Sequence, residues 1–372
     1  MKLVVHSGFG IETATKIELR RMGIEAGAIG GRFIFDGGSE DIVRLNIGLR
    51  TADRVSVLLG EFSATTFDEL FDGIKRIDWK SLVHKNARIV VNARSTDSTL
   101  FALSAIQSIS KKAILSSITR GYWNEDGASL LIHIEIVKDV VSVLLDTSGA
   151  GLHKRGYRDY VAEAPIKETI AAALVELSVW NPDRILVDPF CGSGTIPIEA
   201  AMIAHNIAPG INRSFAFEGY SFIDPRIVSD AREEARSAVV TDKKYRIYGY
   251  DINRDAIKLS LRHLERVGLK DKVHFEVMDA RKLVSSHPYG VVITNPPYGE
   301  RLLNEKSVRE LYSDFSRTFS ALPDWSLYLV TSLDGFEKTF GRRADKNRKL
   351  FNANIQIREY CYLGARPPKK TP

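Results

Sequence analysis

Cysteine is scarce: Cys191 and Cys361 are the two in 372 residues, too few for a disulfide framework or a cysteine zinc site and in keeping with a reducing compartment. No apolar run approaches the roughly 20 residues that a bilayer-crossing helix needs. The opening MKLVVHSGFG passes into a strand and a turn without a signal-peptide apolar core. His, Cys and Asp nowhere fall at zinc-like spacing, so no metal is expected. Internal repeats and low-complexity tracts are missing as well. What remains is the expectation of a soluble, cytoplasmic protein with no membrane partner. With 44% hydrophobic residues and a length beyond what one core usually reaches, two or three domains are expected.

Charge is modest overall, at +6, but uneven: residues 336–372 carry ten Lys/Arg against three Asp/Glu. A basic end beside a catalytic domain points to a polyanion. Lys369 and Lys370 read as a solvated tail, whereas Arg342, Arg343, Lys346, Arg348 and Lys349, ahead of an expected final strand, are candidates for phosphate contacts.

Residues 2–6 read as a strand, 11–22 as a helix, 30–35 and 54–59 as strands around a helix at 39–47: a small α+β unit over residues 1–60. Gly8 and Gly10 imitate a dinucleotide loop, but Thr13 stands at the third glycine position and a plain turn is favoured. A second unit, residues 61–150, holds a helix at 67–77, a strand at 87–93, a helix at 99–122 and a hairpin of strands 129–137 and 140–146 turning at Lys138-Asp139. Leu103, Ile106, Ala113, Ile114 and Ile118 mark the inner stripe of its long helix, with Lys111, Lys112 and Arg120 outside; these cations suit either RNA or a solvated face. The connector, residues 151–163, contains LHKRGYRDY, in which His153, Lys154, Arg155 and Arg158 alternate with Tyr157 and Tyr160. That spacing suits phosphate pairing with base stacking, and equally a packed linker.

From residue 164 a helix to 177 with Pro165 near its start precedes a regular alternation: strands at 185–188, 246–251, 273–278, 290–294 and 327–331, helices at 195–203, 254–267 and 307–319. This is the pattern of a parallel sheet covered on both faces. Residues 208–244 interrupt it, with a helix at 225–239 expected near the cofactor edge.

The chemistry gathers at the strand ends. ILVDPFCGSGTIPIEAA (185–201) is a strand ending in Asp188, a turn with Gly192 and Gly194, and a helix start, the form of a nucleotide-cofactor pocket. Asp251, Asp279 and Asn295 end the next strands. Four polar groups along one edge suit a cofactor bearing an amine, a ribose and an adenine amino group. A phosphate cofactor would be repelled by them, and the Lys of a P-loop is missing after Gly194. S-adenosylmethionine is therefore expected, with a nicotinamide dinucleotide as the alternative that the loop leaves open. Asn295-Pro296-Pro297-Tyr298 offers the Asn295 side chain and the Pro296 carbonyl as acceptors and the Tyr298 ring as a stacking face, a clamp for a planar amine. Cys191 reads as a small packed residue, not a thiolate nucleophile.

At these residues the chain resembles the class I S-adenosylmethionine methyltransferases, and DPFCGSGTIPIEAA with NPPYGERL is similar to the THUMP-containing RNA guanine-N2 methyltransferases of RlmL type, in the short form without a second fused methyltransferase. LHKRGYR, APIKETIAAALVEL and KNRKLFNANI extend the likeness over nearly the whole chain. The resemblance implies an α/β fold: a Rossmann-like methyltransferase domain with a mostly parallel sheet at 164–372, preceded by ferredoxin-like and THUMP units. It implies Asp188, Phe190, Gly192, Gly194, Asp251, Asp279 and Asn295 as cofactor residues, Asn295 to Tyr298 as holders of a flipped guanine, and RNA as partner, with ribosomal RNA favoured over transfer RNA. Lys111, Lys112, Lys154, Arg155, Arg158, Lys346 and Arg348 are the expected RNA contacts. Rival readings are methylation of a protein glutamine or a DNA adenine, which share the planar nitrogen, and a non-catalytic RNA-binding assembly factor.

Overall fold

The computed structural model describes residues 1–158, 166–298, 304–352 and 355–368; Tyr160, Pro165, residues 299–301, Lys369 and Lys370 lie outside the described residues. In chain order the elements are β1 (Lys2–Ser7), α1 (Glu12–Arg21), β2 (Ala28–Ile29), β3 (Arg32–Asp36), α2 (Ser39–Gly48), β4 (Ala52–Ser63), α3 (Phe67–Lys75), α4 (Trp79–Leu82), β5 (Arg88–Thr96), α5 (Leu103–Ile118), β6 (Ser129–Val137) and β7 (Val140–Asp146). There follow α6 (Glu168–Leu177), β8 (Leu186–Asp188), α7 (Thr195–Ala204), α8 (Pro225–Ser237), β9 (Ile247–Asp251), α9 (Arg254–Arg266), β10 (His274–Val277), β11 (Val291–Thr294), α10 (Glu305–Ser320), β12 (Ser326–Thr331), α11 (Phe336–Phe340), β13 (Lys346–Asn352) and β14 (Ile355–Tyr362). Two compact units result: Met1–Ser7 with Leu19–Leu152 and Gly210–Ser237, and Gly8–Glu18 with His153–Pro209 and Ala238–Pro372. Among the described residues no helix is long and apolar enough to cross a membrane.

The first unit is built on one seven-stranded sheet, ordered β2-β3-β1-β4-β7-β6-β5. Along β6, Leu130, Ile132, Ile134 and Ile136 are buried at every second position, the period of a strand with one face on the core. Lys138 and Asp139 both take positive φ, 51° and 62°, the geometry of a two-residue hairpin whose twist matches its strands. β4 pairs with β1 on one side and β7 on the other and runs continuously through residue 60. Thr66 caps α3 reciprocally with Glu69, fixing its start. α5 begins at Leu103, later than expected, and Leu103 is 44% exposed while Ile106, Ala113 and Ile114 are buried. Leu103 is therefore not part of the inner stripe.

The interrupting segment corrects another expectation. Residues 210–237 belong to the first unit: Phe217 N–H donates to the Thr147 carbonyl at 3.0 Å, the Tyr220 hydroxyl to the Asp146 carbonyl, and Ser39 Oγ to the Phe222 carbonyl at 3.3 Å. α8 packs on α2 within that unit. No residue of α8 is fully buried, which suits a surface helix whose pattern alone does not say what it covers.

The second unit carries a sheet ordered β10-β9-β8-β11-β12-β14-β13. The first five strands are parallel; β14 runs antiparallel to β12, and β13 antiparallel to β14. The chain leaves β8 toward β9 and β10, then returns to place β11 on the other side. The crevice at such a reversal, outside the carboxyl ends of the strands, is where open α/β sheets bind ligands. Val292, Leu327 and Leu329 pack with Tyr312, Phe315 and Phe319 of α10 and with Phe336 and Phe340 of α11. Tyr328, on the alternate face of β12, accepts the Val179 N–H just after α6 at 2.9 Å.

Candidate active site

The loop after β8 is shaped by two glycines and gripped by α9. Gly192 and Gly194 take φ of 52° and 82°, a region that disfavours any side chain. A Cβ on Gly194 would stand 2.9 Å from Phe275 Cζ and 2.9 Å from Ser260 Cβ, whereas one on Gly192 would meet nothing within 4 Å. The first glycine opens space; the second permits close packing. Ser260 Oγ donates to the Gly192 carbonyl at 2.9 Å, His263 Nδ1 lies 3.0 Å from the Ser193 carbonyl, and Cys191 N–H donates to the Tyr250 carbonyl at 2.8 Å. Burial pushes the Cys191 thiol well up, as befits a packed residue.

The carboxylates at the strand ends have distinct situations. Asp188 is 2% exposed; its Oδ1 accepts the Thr294 hydroxyl at 2.6 Å and the Phe190 N–H at 3.1 Å. It clasps the end of β8 to the end of β11. Burial pushes its carboxyl up to about 7, opposed by those two hydrogen bonds and reinforced by Asp251. Asp251, half-buried, accepts the Gly192 N–H at 2.9 Å and the Asn253 N–H at 2.8 Å, one bond to each oxygen. A carboxylate has about four acceptor sites, so capacity is left for vicinal hydroxyls. Asp279, two residues past β10, is held bidentately by Arg281 at 2.6–3.0 Å, which lowers its pKa, the Arg281 hydrogen bonds being the main cause. Phe190 turns its ring edge-on to Phe315, centroids 5.2 Å apart, anchoring the loop to α10.

Asn295 follows directly on β11. Its Oδ1 is buried with no hydrogen-bond partner among the described residues. A buried acceptor left unmade costs on the order of 1–3 kcal/mol, and such a cost at a strand end in a ligand crevice reads as an acceptor kept for a donor. Next to it the Pro297 carbonyl accepts the Tyr312 hydroxyl at 3.0 Å, and that hydroxyl also lies 3.0 Å from Thr331 Oγ1. Tyr298 is buried enough to push its hydroxyl's pKa up, the Asn352 side chain opposing; Asn352 Oδ1 in turn accepts the Lys167 N–H at 3.2 Å.

The structure thus brings Asp188, Phe190, Gly192, Gly194 and Asp251 together through direct contacts, with Thr294 linking them to Asn295. Thr294, Ser260, His263 and Tyr312 were not anticipated. The signal for three of them was polar character at core-facing helix positions: Ser260 and His263 sit with Ile257 and Leu264 on the buried side of α9, and Tyr312 with Val308, Phe315 and Phe319 on α10. A hydroxyl or ring nitrogen in such a stripe must find a partner.

The expected cationic contacts divide. Arg155 is a correction: its side chain is 1% exposed and pairs with the fully buried Glu199 of α7, both oxygens at 3.3 Å, while the Tyr157 hydroxyl donates to the same carboxylate at 3.2 Å. A guanidinium enclosed in that way has no face for RNA. Arg158 is largely buried, bound to Glu168 at 3.0 Å and to the Ile166 carbonyl at 3.2 Å. Within the described part of the connector, Arg155, Tyr157 and Arg158 are packed, while Lys154 is exposed. Lys111 pairs with Glu125 at 2.7 Å; Lys112, Lys154 and Lys346 are exposed, and Arg348 is 35% exposed. Lys346 and Arg348 lie within strand β13, ahead of the final strand β14.

The parallel sheet with its reversal, the glycine loop and the acid at the end of β9 define a class I methyltransferase. Comparison with known proteins agrees. Residues 155–360 match the RMKL-like methyltransferase domain, residues 2–56 the RlmL ferredoxin-like domain and residues 64–146 the THUMP domain. The chain is 41% identical over 375 residues to "Putative RNA methyltransferase YpsC" of Bacillus subtilis (strain 168), covering 99% of this chain and 97% of that one. The crystal structure of SMU.472, "a putative methyltransferase complexed with SAH", superposes with a TM-score of 0.93 at 40% identity over 99% of each chain. That of "a predicted N6-adenine-specific DNA methylase from Listeria monocytogenes str. 4b F2365" gives 0.92 at 41% identity, over 98% and 96%. The protein belongs to the RMKL-like methyltransferase family, with RlmL ferredoxin-like and THUMP domains in front, and uses S-adenosylmethionine. The open space at Gly192 and the spare acceptor capacity of Asp251 fit that cofactor.

Proposed function

We infer that the protein methylates the exocyclic N2 of a guanine in RNA, with large-subunit ribosomal RNA as the substrate class and transfer RNA as the second. The observation that carries this reading is the unpartnered, buried Oδ1 of Asn295 at the carboxyl end of β11. When bound, S-adenosylmethionine supplies an electrophilic methyl group on a positively charged sulfur. Everything else falls to the chain. Asp251 and the opened loop at Gly192 hold the ribose side, with Asp188, Gly194, Phe190 and Asp279 shaping the pocket around it. Asn295 Oδ1 and the Pro296 carbonyl accept the hydrogens of a flat amino group, and the Tyr298 ring stacks on the base. Those acceptors draw the lone pair of a conjugated nitrogen out of the ring and toward the methyl, whose bond to sulfur would break as the bond to nitrogen forms, and the surplus proton of the nitrogen would leave to solvent; positioning and fixed dipoles supply the rate, and no covalent nucleophile is needed. Tyr312, through the Pro297 carbonyl, holds the clamp in register.

The choice of RNA rests on the THUMP domain at residues 64–146 and on the RNA methyltransferase description of YpsC. We place the ferredoxin-like unit at 1–60, THUMP at 61–150, a linker at 151–163 and the catalytic domain at 164–372, less the residues 210–237 that pack into the first unit, with Lys111, Lys112, Lys154 and Lys346 toward RNA phosphates. The name of the Listeria relative makes DNA adenine the second reading, since adenine N6 is also a planar amine. The test is methyl transfer from labelled cofactor to purified RNA, duplex DNA and a glutamine-containing protein in parallel. Label in N2-methylguanosine is the expected result; label in N6-methyladenine or methylglutamine rejects the assignment.

A further inference from the structure

A cavity of about 580 Å³ lies in the second unit along the face of β12, β14 and β13 next to the end of α6, lined by Arg184, Tyr328, Lys346, Arg348, Glu359 and Cys361 among others. It shares no residue with the methyl-transfer centre. Its volume falls in the range of roughly 300–1,000 Å³ that suits small-molecule ligands. Three polar atoms of its lining are buried without a hydrogen-bond partner among the described residues: Glu359 Oε1, Arg348 Nη1 and Arg184 Nη2. Glu359 is 2% exposed, and burial pushes its carboxyl up to about 7, with Arg348 opposing. Arg348 Nε stands 3.9 Å from Glu359 Oε2, too far for a hydrogen bond. A fold that buries the Glu359 acceptor beside the Arg348 donor, with the Arg184 donor elsewhere in the same lining, and leaves all three unmade has placed them for something that enters.

The chemistry of that set is selective. A carboxylate beside a guanidinium asks for adjacent donors flanked by an acceptor. Among the bases, guanine alone presents that order, its N1–H and N2 amino group beside O6. Adenine has no carbonyl, and uracil and cytosine each present a single donor group on that edge. Tyr328, Leu177 and Val179 provide apolar wall, while Lys346 and Arg366, both exposed at the rim, provide the charge for a phosphate. We propose that this cavity is a second nucleotide site, which takes a guanosine monophosphate unit, with Glu359 accepting from N1–H and the N2 amino group and Arg348 donating to O6.

Calorimetry with guanosine, inosine and adenosine 5′-monophosphates and with inorganic phosphate tests it on the full chain, and no methyl transfer is involved, so the outcome is readable whether or not RNA is the substrate. Guanosine monophosphate is expected to bind tightest. Inosine monophosphate, which lacks the amino group, is expected to bind about 10-fold more weakly, and adenosine monophosphate and phosphate alone about 100-fold. Glu359→Gln, which keeps the shape and puts a donor against donors, and Ala365→Trp, which fills the mouth from an exposed position, should each abolish binding while the thermal transition is kept; Asn295→Ala should leave it intact. Equal affinity for guanosine and adenosine monophosphates, phosphate binding as tight as the nucleotide, or unchanged binding in Glu359→Gln overturns the proposal. So does loss in Asn295→Ala with retention in Glu359→Gln, since the nucleotide then sits in the methyl-transfer centre. A short RNA with a single guanosine, compared with its inosine analogue, distinguishes a strand from a free nucleotide as the source.

Discussion

Replacing Asp188 by asparagine should make the protein more stable in alkali and leave its shape alone. The carboxyl is 2% exposed and carried up to about 7, from an ordinary value of 3.8, mainly by burial. A group whose folded pKa is raised favours folding fully below its unfolded pKa, and that contribution is lost as pH rises through the folded value. The window here runs from 3.8 to about 7. At about 1.36 kcal/mol per unit, wild type loses on the order of 2.7 kcal/mol from this group between about pH 5 and pH 8.5, the loss ending near pH 7. The amide introduced by Asp188→Asn carries no such charge, yet its oxygen still accepts from Thr294 Oγ1 and the Phe190 N–H. Urea denaturation of both proteins at about pH 5 and pH 8.5, with unchanged m values, reads the difference. The mutant should gain about 2–3 kcal/mol on wild type over that range. Parallel stability curves would refute the claim that Asp188 is a buried carboxyl whose two hydrogen bonds only partly offset its burial.

Gly194→Ala, at φ 82° and with a Cβ 2.9 Å from Phe275 and Ser260, should cost about 2–4 kcal/mol by thermal denaturation, whereas Gly192→Ala, which adds its methyl to open space, should cost less stability and show its effect in S-adenosylhomocysteine calorimetry. Asn295→Ala should lower kcat by about 10²–10³ with RNA binding by filter retention nearly unchanged. Arg155→Met should destabilise by about 3–5 kcal/mol, because Glu199 is left buried and unpaired, without altering the salt dependence of RNA binding; Lys112→Ala and Lys346→Ala should each reduce that salt slope by about one and leave stability alone.

Much of this was legible because the catalytic half is locally consistent. Short apolar strands ending in Asp188, Asp251 and Asn295, with helices between them, leave one sheet type open, and the glycine positions declare backbone that no other residue adopts comfortably. The connector was ambiguous for a physical reason: an arginine that binds phosphate and one that pairs with a distant Glu199 carry the same local pattern, and only the fold brings residues 155 and 199 together. β13 was hidden because Lys346, Arg348 and Lys349 sit on an outer strand, where charge is tolerated and alternation is blurred. The continuity of β4 through residue 60 was invisible since its start pairs with β1 and its end with β7, the two overlapping at Ser56–Leu58. Residues 210–237 left the rhythm of the second unit to join the first, which no local periodicity records.

The central claim is that Asn295 and its prolines present a guanine amino group of RNA to the methyl donor. Nucleoside mass spectrometry on ribosomal and transfer RNA from a strain lacking the gene, remethylated in vitro with the purified protein and a deuterated methyl donor, tests it most directly. N2-methylguanosine should fall in ribosomal RNA of the mutant strain, and deuterated N2-methylguanosine should appear on remethylation, but not with Asn295→Ala protein. Deuterium in any other nucleoside, or none in either RNA, would contradict it.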